Sequence, residues 1–248
     1  MLARLLNRRP NIDAALSALD KHRLKLPVLS LQKLFADFNE KPVRFDYVPV
    51  GPWSSPIADV ALLMKVVVCA RPKRVLEVGS YRGYTALMLA QHMPSGGTLV
   101  TVDKDARHGG AYKDHPVAAM IERRVLTLTP EAFISDKPKS YDLIFLDADH
   151  RYDAVRYDTD VLMPLLSDDG YFLWHDYANW GRFSALNGVP EFLHEFAERR
   201  PAAAIAGSML AIHSPSWRAG AGAAAFQNAL LPADAKMHDP WSSSLLRG

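Results

Sequence analysis

The 248-residue chain has one cysteine, Cys69, so an internal disulfide is excluded. Cys69 directly follows the apolar residues 66–68, which fits a buried thiol better than a nucleophile. An excess of one charge sign is also missing. Lys and Arg number 29 and Asp and Glu 27, a net charge of +2. That balance offers no electrostatic footprint for nucleic acid or for an anionic membrane surface. No run of 18 apolar residues occurs, so no membrane span is expected. Arg4 interrupts the N-terminal residues before an apolar core accumulates, which argues against a secretory leader. A cytoplasmic protein is the resulting expectation. Internal repeats are absent. So is the dinucleotide-binding spacing Gly-x-Gly-x-x-Gly. What remains is ordinary globular composition, 49% hydrophobic and 23% charged. Its length suits one large α/β domain with N-terminal elaboration.

The most informative stretch is 74–85. Val75, Leu76 and Val78 are apolar and mostly β-branched, as in a buried strand. Gly79 permits a tight turn, and Thr85 begins an apolar helical run. A loop feeding a helix N-terminus suits a nucleotide-like ligand. The spacing here is Glu-x-Gly-x-x-x-Gly, from Glu77 to Gly83. An acid two residues before the first glycine would repel a pyrophosphate. It would tolerate a ligand with a cationic amino-acid end and no phosphate. A second acid, Asp103, ends the apolar, β-branched run that starts at Thr98. Two acids and two glycines matching together weigh against a generic strand–turn–helix with a chance acid.

This pattern resembles the first motif of class I S-adenosylmethionine-dependent methyltransferases. The resemblance covers about residues 55–213. It implies a Rossmann-like α/β fold: a mostly parallel seven-stranded sheet with a C-terminal antiparallel hairpin, plus N-terminal helices. It also implies that Glu77, Gly79, Ser80, Gly83 and Thr85 form the loop around the methionine moiety. Asp103 would then bond the ribose hydroxyls, Glu131 would contact the adenine, and Asp147 would border the cofactor.

Organisation along the chain agrees with such a fold. Strands are expected near 74–78, 98–102, 123–128, 141–146 and 170–175. Helices are expected near 84–93, 111–120, 130–135 and 152–165, with another around 191–196. Residues 203–206 and 208–212 read as a hairpin turning at Gly207. Before the alternation, 11–38 reads as two helices separated by Pro27, and Ser55-Pro56 opens a helix running through Cys69. The chain thus divides into a helical segment on the substrate side (1–54), the cofactor-binding domain (55–213) and a tail (214–248). The tail fits a surface arm or a subunit contact, so a homo-oligomer is one expectation.

Two polar clusters follow the fourth and fifth strands: Asp147, Asp149 and His150, then His175 and Asp176. In open α/β sheets ligands sit outside the carboxyl ends of the strands, so both clusters fall beside the cofactor loop. They resemble the divalent-metal site of cation-dependent O-methyltransferases. That group includes catechol and caffeoyl-CoA methyltransferases and the sugar O-methyltransferases of antibiotic pathways. The resemblance makes Asp147, His175 and Asp176 metal ligands. His175 departs from the usual oxygen ligand. A mixed Asp–His–Asp site leans toward Mn, Fe or Zn rather than Mg, or else His175 supports the ligands instead of joining them.

The same resemblance places the general base three residues after Asp147, at His150. A neutral imidazole can take a hydroxyl proton near neutral pH. Asp149 is the competing base. Alone, His150 would read as a solvated residue at a helix start. Trp53, Ser54 and Ser55 fall where relatives touch the methionine end of the cofactor, or simply cap a helix. Tyr177, Trp180 and Arg182 could line the acceptor pocket or pack a loop. His92, His108 and His194 show no ligand spacing and read as surface groups.

The expected activity is metal-assisted methylation of a hydroxyl on a small molecule. A sugar or glycoside is favoured over a phenol, because His150 stands where phenolic members carry lysine. One alternative drops the metal and methylates a nitrogen or carboxylate. Another is a non-catalytic binding subunit, although a scaffold would need none of Glu77, Gly79, Gly83 and Asp103.

Overall fold

A computed structural model of the protein describes residues 24–46, 54–133, 135–178 and 187–232. The first expected helix, Trp53, Trp180, Arg182 and the end of the tail lie outside the described residues. The rest forms one sheet of eight strands in the order β1-β7-β8-β6-β5-β2-β3-β4. In chain order these are β1 (Val28–Leu29), β2 (Arg74–Val78), β3 (Thr98–Asp103), β4 (Ile121–Val125), β5 (Tyr141–Leu146), β6 (Leu166–Trp174), β7 (Ala202–Ile205) and β8 (Ala211–His213). Strands β6, β5, β2, β3 and β4 run parallel, and β8 pairs antiparallel with β6 and β7.

The expected seven strands are therefore eight. The extra one, β1, pairs parallel with β7, Val28 opposite Ala204. Leu29 sits in that strand rather than in the expected helix, which shrinks to one turn, α1 (Leu31–Leu34). Strand β7 would otherwise be an open edge. The N–H groups of Ala204, within it, and Ala206, just past its end, donate to the carbonyls of Pro27 and Leu29 at 2.9 Å each. Satisfying those groups overrides the helical spacing of the leucines. The segments set apart by sequence as 1–54 and 214–248 both join this body. The first supplies β1, and the second supplies α6 (Gly220–Ala229), which packs on α1.

The other helices are α2 (Ile57–Ala70), α3 (Tyr84–His92), α4 (Tyr152–Leu162) and α5 (Val189–Ala197). Strand side chains alternate between two layers, as a period of two requires. Val75, Leu99, Leu143, Phe145 and Leu173 pack with α2 and α3. Leu76, Val78, Val100, Ile144 and Trp174 pack with α4 and α5. Each fully buried Leu or Val contributes roughly 1.5–3 kcal/mol to this core.

Several expected elements differ. Strand β4 spans Ile121–Val125, because its pairing with β3 ends at Asp103 opposite Val125. Residues 126–128 leave the ladder. The expected helix at 111–120 is only a tight turn, Pro116–Met120, with the ring of His115 accepting the Val117 N–H. In place of the expected helix near 130–135 there is likewise a tight turn, Pro130–Phe133. Helix α4 stops at Leu162 because Pro164 cannot continue it. No helix among the described residues is long and apolar enough to cross a membrane.

Candidate active site

Strand β2 has β3 on one side and β5 on the other, so the chain reverses direction of build-up there. The crevice at such a switch point is where open α/β sheets bind ligands. A cavity of about 870 Å³ opens at that point. Gly79, Tyr81 and Asp103 line one side, and Asp147 and His150 the other.

Gly79 has φ +101, a region L side chains rarely adopt. An added Cβ would lie 1.9 Å from the carbonyl oxygen of Asp147. The turn after β2 and the end of β5 thus touch backbone to backbone. Their positions are locked by two bonds, Gly79 N–H to the Val102 carbonyl and Asp147 N–H to the Val78 carbonyl, both 2.9 Å.

Glu77 is completely buried, and one carboxyl oxygen accepts a hydrogen bond from Thr101. Ser80 bonds the same Thr101 hydroxyl. The other Glu77 oxygen, Oε1, has no protein partner. Burial pushes this carboxyl up to about 8. An unpartnered buried acid beside the cavity loop fits a ligand with a cationic group. Thr85 is half-buried in the first turn of α3, and Gly83 caps that helix with φ +87.

Asp103 is heavily engaged. It accepts the Tyr81 N–H at 3.0 Å and the Asp105 N–H at 2.9 Å, and His108 Nδ1 lies at 2.8 Å. Burial works to raise its pKa, but these donors outweigh burial and hold it below the ordinary carboxylate range. His108 is thus a partner of Asp103 and lines the cavity, not the surface group its sequence context implied. His92 and His194 also serve between elements, accepting the N–H groups of Arg44 and Lys25. Glu131 is exposed and does not line the cavity; residues 126–128 form that wall instead.

The second cluster follows from strand alternation. Phe145 and Leu173 face α2, so Asp147 and His175, two residues on, face it as well. Asp176 has φ +60, which breaks the alternation. Its carboxylate comes within 3.1 Å of His175 Nδ1 and 2.8 Å of His150 Nε2. Such strain in a non-glycine residue costs about 1 kcal/mol and persists where surrounding contacts enforce it. Asn187 helps by donating to the Asp176 carbonyl at 2.7 Å.

Ligand atoms of Asp147, His175 and Asp176 all lie within 4.8 Å of one another. His175 Nδ1 is buried with no hydrogen-bond partner, although two carboxylates flank it. An orphaned ring nitrogen between two carboxylates fits a divalent cation. Ser55 does not cap α2. Its hydroxyl instead donates to Asp147 at 3.4 Å.

The electrostatics are those of a charge cluster. Burial pushes Asp147 up, but the charge of His175 and contacts from both imidazoles hold it at about 2. Asp176 lies below the ordinary range for the same reasons. Burial disfavours a charged His150, yet Asp147 and Asp176 carry it to about 10. Asp149 stands apart: Arg151 clamps both its oxygens, with Nε at 3.0 and 3.1 Å, and holds it low. Asp59, on α2, was not singled out from sequence. It bonds His175 Nε2 at 3.0 Å. The signal was available, an acid in the first turn of a helix that is otherwise almost wholly apolar.

A family model described as a methyltransferase domain matches residues 76–177. Over those residues the chain is similar to methyltransferase domains. The match runs from β2 through the His175–Asp176 cluster, the part that builds the cavity and the charge cluster. A caffeoyl-CoA O-methyltransferase of Stellaria longipes is 31% identical over 150 residues, 56% of this chain and 61% of that relative. A transmembrane O-methyltransferase of Propithecus coquereli is 48% identical over 46 residues, 18% of this chain and 17% of that relative. The chain thus spans less than two thirds of these relatives' length. The SAH-bound methyltransferase PaMTH1 of Podospora anserina shares the fold, with a TM-score of 0.54 at 17% identity, over 83% of this chain and 96% of that one.

Proposed function

We propose that the methyltransferase domain moves the methyl group of S-adenosylmethionine to a hydroxyl oxygen of a small molecule, assisted by a divalent cation. One observation carries the reading. Asp147 and His150 line the cavity that Gly79 and Asp103 enter, and both belong to the carboxylate–imidazole cluster. The donor pocket and the cluster therefore share a wall. The relatives' names, which specify oxygen as the acceptor atom, agree.

In this reading Glu77 and the loop to Gly83 hold the methionine end, and Asp103 turns to the ribose hydroxyls. The acceptor oxygen attacks the methyl carbon while the carbon–sulfur bond breaks. The sulfonium leaves as a neutral thioether, so no covalent enzyme intermediate is needed. Alignment is the main contribution of the protein. With the pull of Asp147 and Asp176 on its proton offset, the His150 imidazole would take the hydroxyl proton. Asp149 is a poorer base because Arg151 occupies its carboxylate. Asp147, His175 and Asp176 would hold the cation, which supplies charge neutralisation around His150 and acidifies a nearby hydroxyl.

A second reading drops the cation. It is favoured by the contact of His150 Nε2 with Asp176 at 2.8 Å, through which an imidazolium already neutralises the carboxylates. Chelation separates the two. Release of S-adenosylhomocysteine from a panel of hydroxylated sugars, glycosides and phenols should stop in a chelator and return with Mn(II). Full turnover in the chelator selects the second reading. Absence of S-adenosylmethionine binding by calorimetry removes both.

A further inference from the structure

We propose that Asp59 is a positioning residue that fixes the tautomer of His175, making Nδ1 a nitrogen ligand for the cation. This rests on the metal-assisted reading above and deepens it.

Asp59 is 3% exposed, in the first turn of α2, on the buried face that carries Val60, Leu63 and Met64. A carboxylate there is costly unless both oxygens are satisfied. Both are. Oδ1 accepts the Met209 N–H at 3.0 Å, and Oδ2 faces His175 Nε2 at 3.0 Å. A carboxylate only accepts, so Nε2 must carry a proton. The Met209 bond holds the carboxylate in place, so the imidazole plane is held too. The other ring nitrogen then points between Asp147 and Asp176, at 3.5 and 3.1 Å, without a hydrogen bond of its own. When a cation binds, the proton left on the ring is the one Asp59 holds. Metal-bound imidazoles commonly donate their other N–H to a carboxylate in this way. A nitrogen ligand shifts preference from Mg(II) toward Mn(II), Co(II) or Zn(II).

The test is Asp59→Asn, which keeps the shape. Met209 N–H still demands an acceptor, so the amide oxygen stays on Met209 and the amide NH₂ turns to Nε2. That bond requires a lone pair on Nε2, moves the ring proton to Nδ1 and blocks ligation. The full chain is titrated with Mn(II) by calorimetry, and its spin-echo spectrum is read for nitrogen modulation from imidazole. Expected for Asp59→Asn is Mn(II) affinity weaker by about 10–100-fold and loss of the nitrogen signal. S-Adenosylhomocysteine affinity, measured in parallel, should stay within about twofold, which shows that the variant is folded. In a His175→Asn background, Asp59→Asn should change Mn(II) affinity by less than about twofold. Unchanged Mn(II) binding by Asp59→Asn, or equal weakening in both backgrounds, overturns the role of Asp59. A wild-type chain that binds no Mn(II), Co(II) or Zn(II) overturns the metal-assisted reading itself.

Discussion

Replacing Gly79 with alanine should be among the most damaging single-methyl changes in the molecule. Two costs add. At φ +101 an L side chain is strained by about 1–3 kcal/mol. The new Cβ would also stand 1.9 Å from the Asp147 carbonyl oxygen and 2.6 Å from its carbon. Those are backbone atoms in a paired strand end, so they cannot rotate away. Forced repacking of this kind costs about 1–3 kcal/mol more. The sum is roughly 2–6 kcal/mol. Gly96 provides the control. It has φ +78, but nothing lies within 4 Å of its would-be Cβ, so Gly96→Ala should show the strain alone, about 1–2 kcal/mol. Urea unfolding monitored by circular dichroism measures both. With a slope of about 1–3 kcal/mol per molar, Gly79→Ala should lower the midpoint by about 1 M or more. The clash also displaces Asp147, so Mn(II) binding by the folded fraction should weaken for Gly79→Ala and not for Gly96→Ala. Equal destabilisation by the two substitutions would refute the backbone-contact reasoning.

Other outcomes follow from the same geometry. Asp103→Ala should weaken S-adenosylmethionine binding about 10–100-fold in calorimetry, the equivalent of one hydrogen bond to a charged group; unchanged affinity would remove Asp103 from the ribose. His150→Ala should lower the rate about 10²–10⁴-fold with cofactor affinity nearly unchanged, and survival of full activity would shift the base elsewhere. Glu77 controls a pH dependence. Its folded pKa of about 8 exceeds the ordinary 4.5, so between those values the folded state holds the extra proton and stability falls as pH rises. The slope is at most about 1.4 kcal/mol per unit. Glu77→Gln should flatten that window, and parallel stability curves for the two proteins would contradict it. Asp136→Ala should destabilise by about 2–4 kcal/mol in the same unfolding assay, because Arg74, Arg124 and the Tyr141 hydroxyl all bond this buried carboxylate. A loss under about 0.5 kcal/mol would show that water replaces it.

Where sequence reading succeeded, the signal was local. Strands β2 and β5 and helix α3 are apolar runs whose period and flanking glycines leave few options. Glu77, Gly79, Asp103, Asp147, His175 and Asp176 lie at strand ends, and the parallel α/β rule gathers strand ends at one crevice. Where it failed, the deciding partner was distant in the chain. Leu29 had helical spacing but met the open edge of β7. Ser55 had the look of a cap but found Asp147 instead. His108 had no ligand spacing because it reaches Asp103, at the end of β3, through an irregular loop rather than along a helix.

By itself the sequence placed the central apolar strands and showed which residue types stand at their carboxyl ends, since both follow from periodicity and chain order. Only the tertiary structure decided how those residues are used. It brought Asp59 of α2 to His175 across a sequence separation of 116 and left Nδ1 facing two carboxylates. It also tied Asp149 to Arg151 while leaving His150 in the cluster. Tautomers, ion pairs and shifted pKa values depend on distances of a few ångströms between separate elements, and residue spacing along the chain does not encode those distances.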